Sequence, residues 1–398
     1  MKRIFLKVLP LMAAVLLATS CSKDDNGDFN NSIESTEVVN TNESTEVVQS
    51  NIVKIPFSVK VDKGLGISKI AYSGDGTVIT RAFETSDLGT ELTVTGEGIE
   101  SSTLTLKGQG GNYFFEGDIN VIAGNEDKFT TGEISLTGTF GKALVNPTSS
   151  IESLAELMRN CDHQYKANFT SGDNDITLYD QNAYLYFKLA ASQIVLKIST
   201  GEYEAFKTNS EDGTKEIWIA VPGGTTVSGN LVSQAGKTAE AAHVITLDRT
   251  KVVDMQLDGG VLWATSNLGA TNPGDYGNYC AWTETETLGA SNGLRMPNSS
   301  DLTTLKNQTK TKETQDGNNG LKFYTAYGSV FLPAAGIRGG SGTPEFVGSL
   351  GYYWSSSVNA GYPNDAEYLY FDLNGGVAVN PNGSRTGGQR VRLVRVIN

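Results

Sequence analysis

From residue 51 to about residue 250 the chain is written in a two-residue period. IVKIPFSVKV at 52–61, ELTVTGEGI at 91–99, GEISLTGTFG at 132–141 and SQIVLKIST at 192–200 place Val, Ile, Leu, Phe or Thr at alternate positions. Successive side chains leave a strand on opposite faces, so such segments bury one face and wet the other. Gly, Asp and Asn separate them, and no segment between 51 and 141 carries a convincing helical period. The pattern predicts short antiparallel strands packed as β-sandwiches.

The alternation breaks once, at NPTSSIESLAELMRN around Pro147, where Ser149 or Ser150 is placed to cap a short helix with Leu154 and Leu157 on one side. Strands resume at YKANFTS (165–171) and run to AAHVITL (241–247). The reading is therefore a β-sandwich module at 51–148 and a second at 149–250. In strand order, the two resemble the fimbrillin-like proteins of Bacteroidetes, tandem β-sandwich modules of surface pili and their accessory subunits. IWIAVPGGTTVSGNLVS, a strand, a proline turn and another strand, is the stretch closest to that family.

Beyond residue 250 the composition shifts. VVDMQLDGGVLWATSNLGATNPGDYGNYCAWTETET, NGLRMPNSSDLTTLKN, VFLPAAGIRGG, GSLGYYWSSS, EYLYFDLNGGVAV and QRVRLVRVI follow in order between 252 and 397. Together they resemble the major paralogous domain of Fibrobacter and Bacteroidetes surface proteins, a divergent relative of the C-type-lectin-like fold. Two departures stand out: Arg295-Met296-Pro297 replaces Arg-Leu-Pro, and Thr283 precedes Glu284 where the family carries glycine. The resemblance implies an α+β C-type-lectin-like domain over 251–398 that closes by pairing its first and last strands. Ser299, Ser300 or Asp301 is expected to cap a helix containing Leu302 and Leu305. The fold class is thus mainly β: tandem β-sandwich modules followed by an α+β C-type-lectin-like domain.

The start of the chain reads differently. Lys2, Arg3 and Lys7 precede the apolar run LPLMAAVLLATS, which is shorter than the roughly 20 residues of a membrane-spanning helix. LATSC resembles the bacterial lipobox, which implies a signal peptide at 1–20 and a diacylated, lipid-bearing Cys21. Acyl chains hold a protein at a bilayer by about 0.8 kcal/mol per buried methylene. Asp24 and Asp25 resemble the surface-export signal of Bacteroidetes lipoproteins. Residues 21–50, with ESTEVV at 34–39 and again at 43–48, lack the apolar mass for a core and read as a flexible tether. The expected location is the outer membrane, surface-exposed and lipid-anchored.

Chemistry is sparse. The net charge of −13 becomes −16 once the leader's three basic residues are removed, which argues against nucleic acid as a partner. Beyond Cys21 there are Cys161 and Cys280, read as buried free thiols, and two histidines, His163 and His243. Cys161-x-His163 has two donor types without a supporting cluster. No nucleophile elbow, phosphate loop or HExxH occurs, and Glu284 with Glu286 reads as a solvated edge rather than a glycosidase pair. No catalytic residues and no metal or other cofactor are expected, with calcium left open in the oxygen-rich loops 271–287 and 359–365.

A ligand surface, if the third domain carries one, is expected on Asp275, Glu284, Trp354, Asn364, Asp365, Tyr368 and Tyr370. In EYLYFDL, Tyr368 and Tyr370 share one face and Leu369 and Phe371 the other. The leucine face reads as core. The tyrosine face stays open between an exposed sugar platform and packing against Trp354, itself read first as core. The expected function is non-enzymatic: cell-surface adhesion or assembly of a fimbria-like adhesive structure. The alternatives are glycan capture for carbohydrate uptake and a structural pilus anchor. Expected partners are pilus subunits, a host protein or a glycan. Arg81, between two short strands, is a candidate processing site.

Overall fold

The computed structural model describes residues 51–61, 67–70, 79–82, 89–109, 112–141, 150–151, 153–162, 164–170, 172, 178–285, 293–340 and 342–397. The leader, the tether with Cys21, His163 and Glu286 lie outside the described residues. The fold is mainly β, built from several discrete sheets.

The largest sheet has seven strands in the order Ile52–Val61, Asn112–Ile122, Ile99–Gln109, Glu91–Gly96, Ser135–Gly141, Gln164–Thr170 and Leu178–Asp180, each antiparallel to its neighbour. Alternation holds along it: Leu92 and Val94 are buried while Glu91, Thr93 and Thr95 are exposed. Phe57, on the first strand, stacks on Phe169, on the sixth, with ring centroids 5.7 Å apart. Five strand spacings laid flat would separate them by about 24 Å. The sheet therefore curls until its two ends share one core, which includes Val59, Leu104, Phe115, Phe140 and Tyr165. The strands Gln164–Thr170 and Leu178–Asp180 complete this sheet, although the sequence reading assigned them to the module at 149–250. The sheet crosses the 148/149 boundary.

A second core is organised by the four-stranded sheet Lys207–Thr208, Lys215–Pro222, Asn182–Leu189 and Val244–Arg249. Its central strand is antiparallel to Lys215–Pro222 and parallel to Val244–Arg249. Both faces are covered at one end, so the strand reads as a near-continuous apolar run. Leu185 and Phe187 pack towards the hairpins at 196–203 and 225–239. Tyr184 packs on the opposite face with Leu154 and Leu157 of the helix Leu154–Asn160. That helix is capped by Ser153, whose hydroxyl accepts from the Glu156 amide at 3.2 Å, rather than by Ser149 or Ser150.

In the C-terminal part, the last strand, Val394–Arg395, pairs with Leu262–Ala264 in the register Trp263↔Val394, while the first strand, Val252–Val253, pairs with Leu262–Ala264 and not with the last, because Leu262–Ala264 lies between them. The helix Ser299–Lys306 buries Leu302 and Leu305. Its cap is Asn298, in a reciprocal capping box with Asp301, not Ser299, Ser300 or Asp301 itself. Arg392 is fully buried, with no carboxylate among its bonded partners. Its guanidinium donates to Asn267 Oδ1 (2.9 Å) and to the carbonyls of Ala264 (3.1 Å), Thr265 (2.8 Å) and Phe331 (2.8 Å). Burial lowers its pKa to about 10. Asn267 in turn donates to the Tyr353 hydroxyl, which donates to the Pro333 carbonyl at 2.7 Å.

Candidate functional site

The strands Leu350–Val358 and Asp365–Asp372 pair with Tyr352 opposite Tyr370 and Trp354 opposite Tyr368. These four aromatics share one face. Tyr353, Leu369 and Phe371 share the other and join the core that includes Leu302 and Leu305. Trp354 is fully buried among Cys280, Trp282, Met296, Val391 and Leu393, and its indole N–H donates to the Cys280 carbonyl at 2.9 Å. Trp282 returns the bond, donating to the Ser355 carbonyl at 2.7 Å. Trp354 is therefore core and leaves the set of ligand-contacting candidates, because the segment at 280–282 and the extended segment with Val391 and Leu393 cover it. Tyr368 and Tyr370 are half-buried. Tyr352 stacks with Tyr368 at 6.0 Å and meets Tyr370 edge-on at 5.4 Å. Burial, followed by Tyr370 and Tyr368, raises the Tyr352 pKa.

The acidic candidates divide. Asp275 closes its own turn, accepting from the Asn272 amide at 2.8 Å, and the neighbouring Gly274 amide donates to Asp316 at 2.7 Å. Glu284 is exposed and accepts from the Ala281 amide at 2.8 Å, closing the start of the helix Trp282–Thr285. Asn364 is exposed and Asp365 half-buried, and their segment is tied to Trp282 through Arg385. The Arg385 amide donates to the Asn364 carbonyl at 3.1 Å, and its guanidinium lies 3.9 Å from the Trp282 ring centroid. The turn that Asp275 closes is thus tied through Gly274 to the hairpin at 309–324, while Asn364 and Trp282 contact Arg385. Among the described residues, no three His, Cys, Asp or Glu gather in a metal-holding group.

A hollow of about 890 Å³ lies elsewhere, between the second core and the C-terminal part. One wall is a cross-strand row: Glu216 opposite Lys188, and Lys188 opposite Asp248. The facing wall is one side of the three-stranded sheet Thr309–Gln315, Asn318–Tyr324 and Ser329–Pro333. There Glu313, Gln315, Lys322 and Phe331 point into the cleft, while Leu321, Phe323 and Leu332 on the other side are core. Six carboxylates and three lysines line it. Each named acid has an intramolecular partner: Lys322 lies 3.3 Å from Glu313, and Asp248 accepts from the Thr250 amide and hydroxyl. The Thr250 amide bond is the main reason the Asp248 pKa falls. A smaller hollow of about 430 Å³ shares Glu313, Lys322 and Ser329 and extends to Tyr324 and Ile194, both partly exposed apolar surfaces.

A buried cluster of hydrogen bonds joins the two parts that carry these walls. Gln193 is almost wholly buried and donates from Nε2 to the carbonyls of Val195 (2.8 Å), Asp254 (3.0 Å) and Tyr327 (3.0 Å). Its Oε1 accepts from the Asp254 amide at 2.9 Å. The Tyr327 carbonyl also takes the amides of Ile194 and Val195, the Ser329 amide donates to Ser192, and Lys215 donates to the Gln193 carbonyl. Gly328 is required at this point: a Cβ there would lie 2.6 Å from Val253 Cγ2 and 3.0 Å from the Asp254 carbonyl. Sequence reasoning missed both the cleft and Gln193. Their only linear signal is a polar glutamine set in the otherwise apolar alternation of SQIVLKI.

No protein-family model matches this sequence. No curated protein matches it. A crystal structure from Bacteroides fragilis NCTC 9343, described as that of a candidate cell adhesion protein, aligns at 12% identity over 48% of this chain and 92% of its own, with a TM-score of 0.21. That overlap is too loose to inform either fold or activity.

Proposed function

We propose that this is a non-enzymatic surface adhesion protein, lipid-anchored at Cys21 to the outer membrane. Its β-modules carry a C-terminal lectin-like module that recognises a partner outside the cell. The supporting observation is the Gln193 junction. The buried Gln193 side chain donates to the Asp254 and Tyr327 carbonyls and accepts from the Asp254 amide, and with backbone bonds from Ile194, Val195 and Ser329 these three bonds tie the C-terminal part to the second core. A recognition module that bears load needs such a junction, whereas independently moving domains would be joined by an exposed linker with few crossing contacts. Beads carrying the chain from Ser22 onward are expected to stay on epithelial monolayers or matrix-coated glass under flow. Retention no better than that of uncoated beads on every surface would overturn the reading.

Assembly into a fimbria-like structure is the second reading, favoured by the edge strand Ile52–Val61. It pairs with Asn112–Ile122 over its whole length, buries Val59, and sets Ile55 and Phe57 against the core. An edge strand so placed is the kind a second chain can replace by strand addition. Arg81, in the strand Ile79–Ala82, is the candidate site for its removal. Protein from native cells with the Arg81–Ala82 bond intact throughout would end this reading.

A further inference from the structure

The cleft between the second core and the C-terminal part has a lining of definite chemistry. Glu216, Lys188 and Asp248 form one wall, and Glu313, Gln315 and Lys322 form the other. Donors and acceptors alternate across both. The acids are spread along two sheets rather than focused on a point, and among the described residues none form a group of three that could hold a cation. Each partnered carboxylate retains unused acceptor capacity, since an ionised carboxylate offers about four lone-pair sites. Six carboxylates against three lysines disfavour an anionic occupant. At about 890 Å³ the space falls in the upper part of the roughly 300–1,000 Å³ range of ligand clefts. At its extension lies Tyr324, a residue 36% exposed.

We propose that this cleft binds a neutral oligosaccharide. The hydroxyls of one or more sugar units bond to the acid–lysine rows, and the C–H face of a further unit lies on Tyr324. Hydroxyl groups donate and accept at once, which suits walls that carry both senses. An aromatic ring supplies the apolar contact that polar walls lack. A cationic peptide would answer the acid excess but leave Lys188, Lys251 and Lys322 facing like charge. The proposal deepens the adhesion reading and rests on it for the presence of an external ligand.

The test uses the chain from Ser22 onward, titrated calorimetrically with cellohexaose, xylohexaose, chitohexaose, maltohexaose and mannohexaose, and separately with a hexalysine peptide. Binding of at least one sugar is expected, weakened about tenfold by Tyr324→Ala and by the pair Asp248→Asn with Glu313→Gln. Thermal unfolding establishes that the variants are folded. Binding to none of the sugars overturns the proposal, and hexalysine bound in their place assigns the cleft to basic peptides. Sugar binding lost with Tyr370→Ala but untouched by the cleft variants also overturns it, moving the site to the tyrosine face. Sugar bound in the cleft without bead retention under flow sinks the adhesion reading alone. Retention without sugar binding sinks the cleft alone.

Discussion

Replacing Gln193 by alanine should separate the second core from the C-terminal part. The substitution leaves the Asp254 amide buried without its acceptor and removes three bonds to the carbonyls of Val195, Asp254 and Tyr327. A buried donor left unpaired costs about 1–3 kcal/mol, and each neutral bond lost contributes about 0.5–1.5 kcal/mol. The Tyr327 carbonyl retains the Ile194 and Val195 amides, so its loss is at the low end. A destabilisation of about 3–4 kcal/mol follows, lessened wherever water enters. The four tryptophans report it directly, because Trp218 lies in the second core and Trp263, Trp282 and Trp354 in the C-terminal part. Urea unfolding followed by fluorescence should shift to lower denaturant and split into two transitions. Gln193→Glu should be worse at neutral pH, since a carboxylate would face three carbonyl oxygens. Burial raises the pKa of an introduced acid, so this loss is full above that raised pKa and eases as pH falls through it. A loss below about 1 kcal/mol for Gln193→Ala, with one unsplit transition, would refute the claim that this side chain couples the two parts.

Arg392→Lys should cost about 2–4 kcal/mol, read as a fall in Tm, because an ammonium cannot span Asn267 Oδ1 and three separate carbonyls; an unchanged Tm would remove the network's claimed role. Burial pushes the Cys161 thiol up to about 12 and raises Cys280 as well. Thiolate is therefore scarce at pH 8, and iodoacetamide should label neither residue in the native chain but both in urea; rapid native labelling would contradict their burial. The Asp248 pKa is depressed chiefly by the Thr250 amide. Its stabilisation is present above the unfolded carboxylate pKa and lost as pH falls through the lower folded value, and Asp248→Asn should flatten that acid limb. In cells, Cys21→Ser should abolish incorporation of an alkyne palmitate analogue; retained label would reject the lipid anchor.

Alternation alone identified which residues share a face. Leu92 and Val94, and Leu369 and Phe371, were legible in this way, as Leu302 and Leu305 were from helical spacing, and all are buried. The same period could not say what lies above a face. Tyr368 and Trp354 sit opposite each other on one sheet surface, yet Trp354 is sealed by residues more than 30 positions away in both directions, while Tyr368 stays half-open. Capping followed the same division. Several Ser, Asn and Asp candidates precede each helix, and only the backbone path selected Ser153 and Asn298. The strand Gln164–Thr170 alternates like any other, and nothing local shows that it pairs with Ser135–Gly141 and brings Phe169 onto Phe57. The cleft was least legible, because its walls come from strands about 60 to 140 residues apart and none of its residues is unusual for an exposed strand. Local periodicity determined strand, face and apolar content, since these depend on neighbours two residues away. Which faces meet, and which are left apart to form a cleft, depends on long-range packing and on a buried glutamine at the junction, and only the tertiary structure decided it.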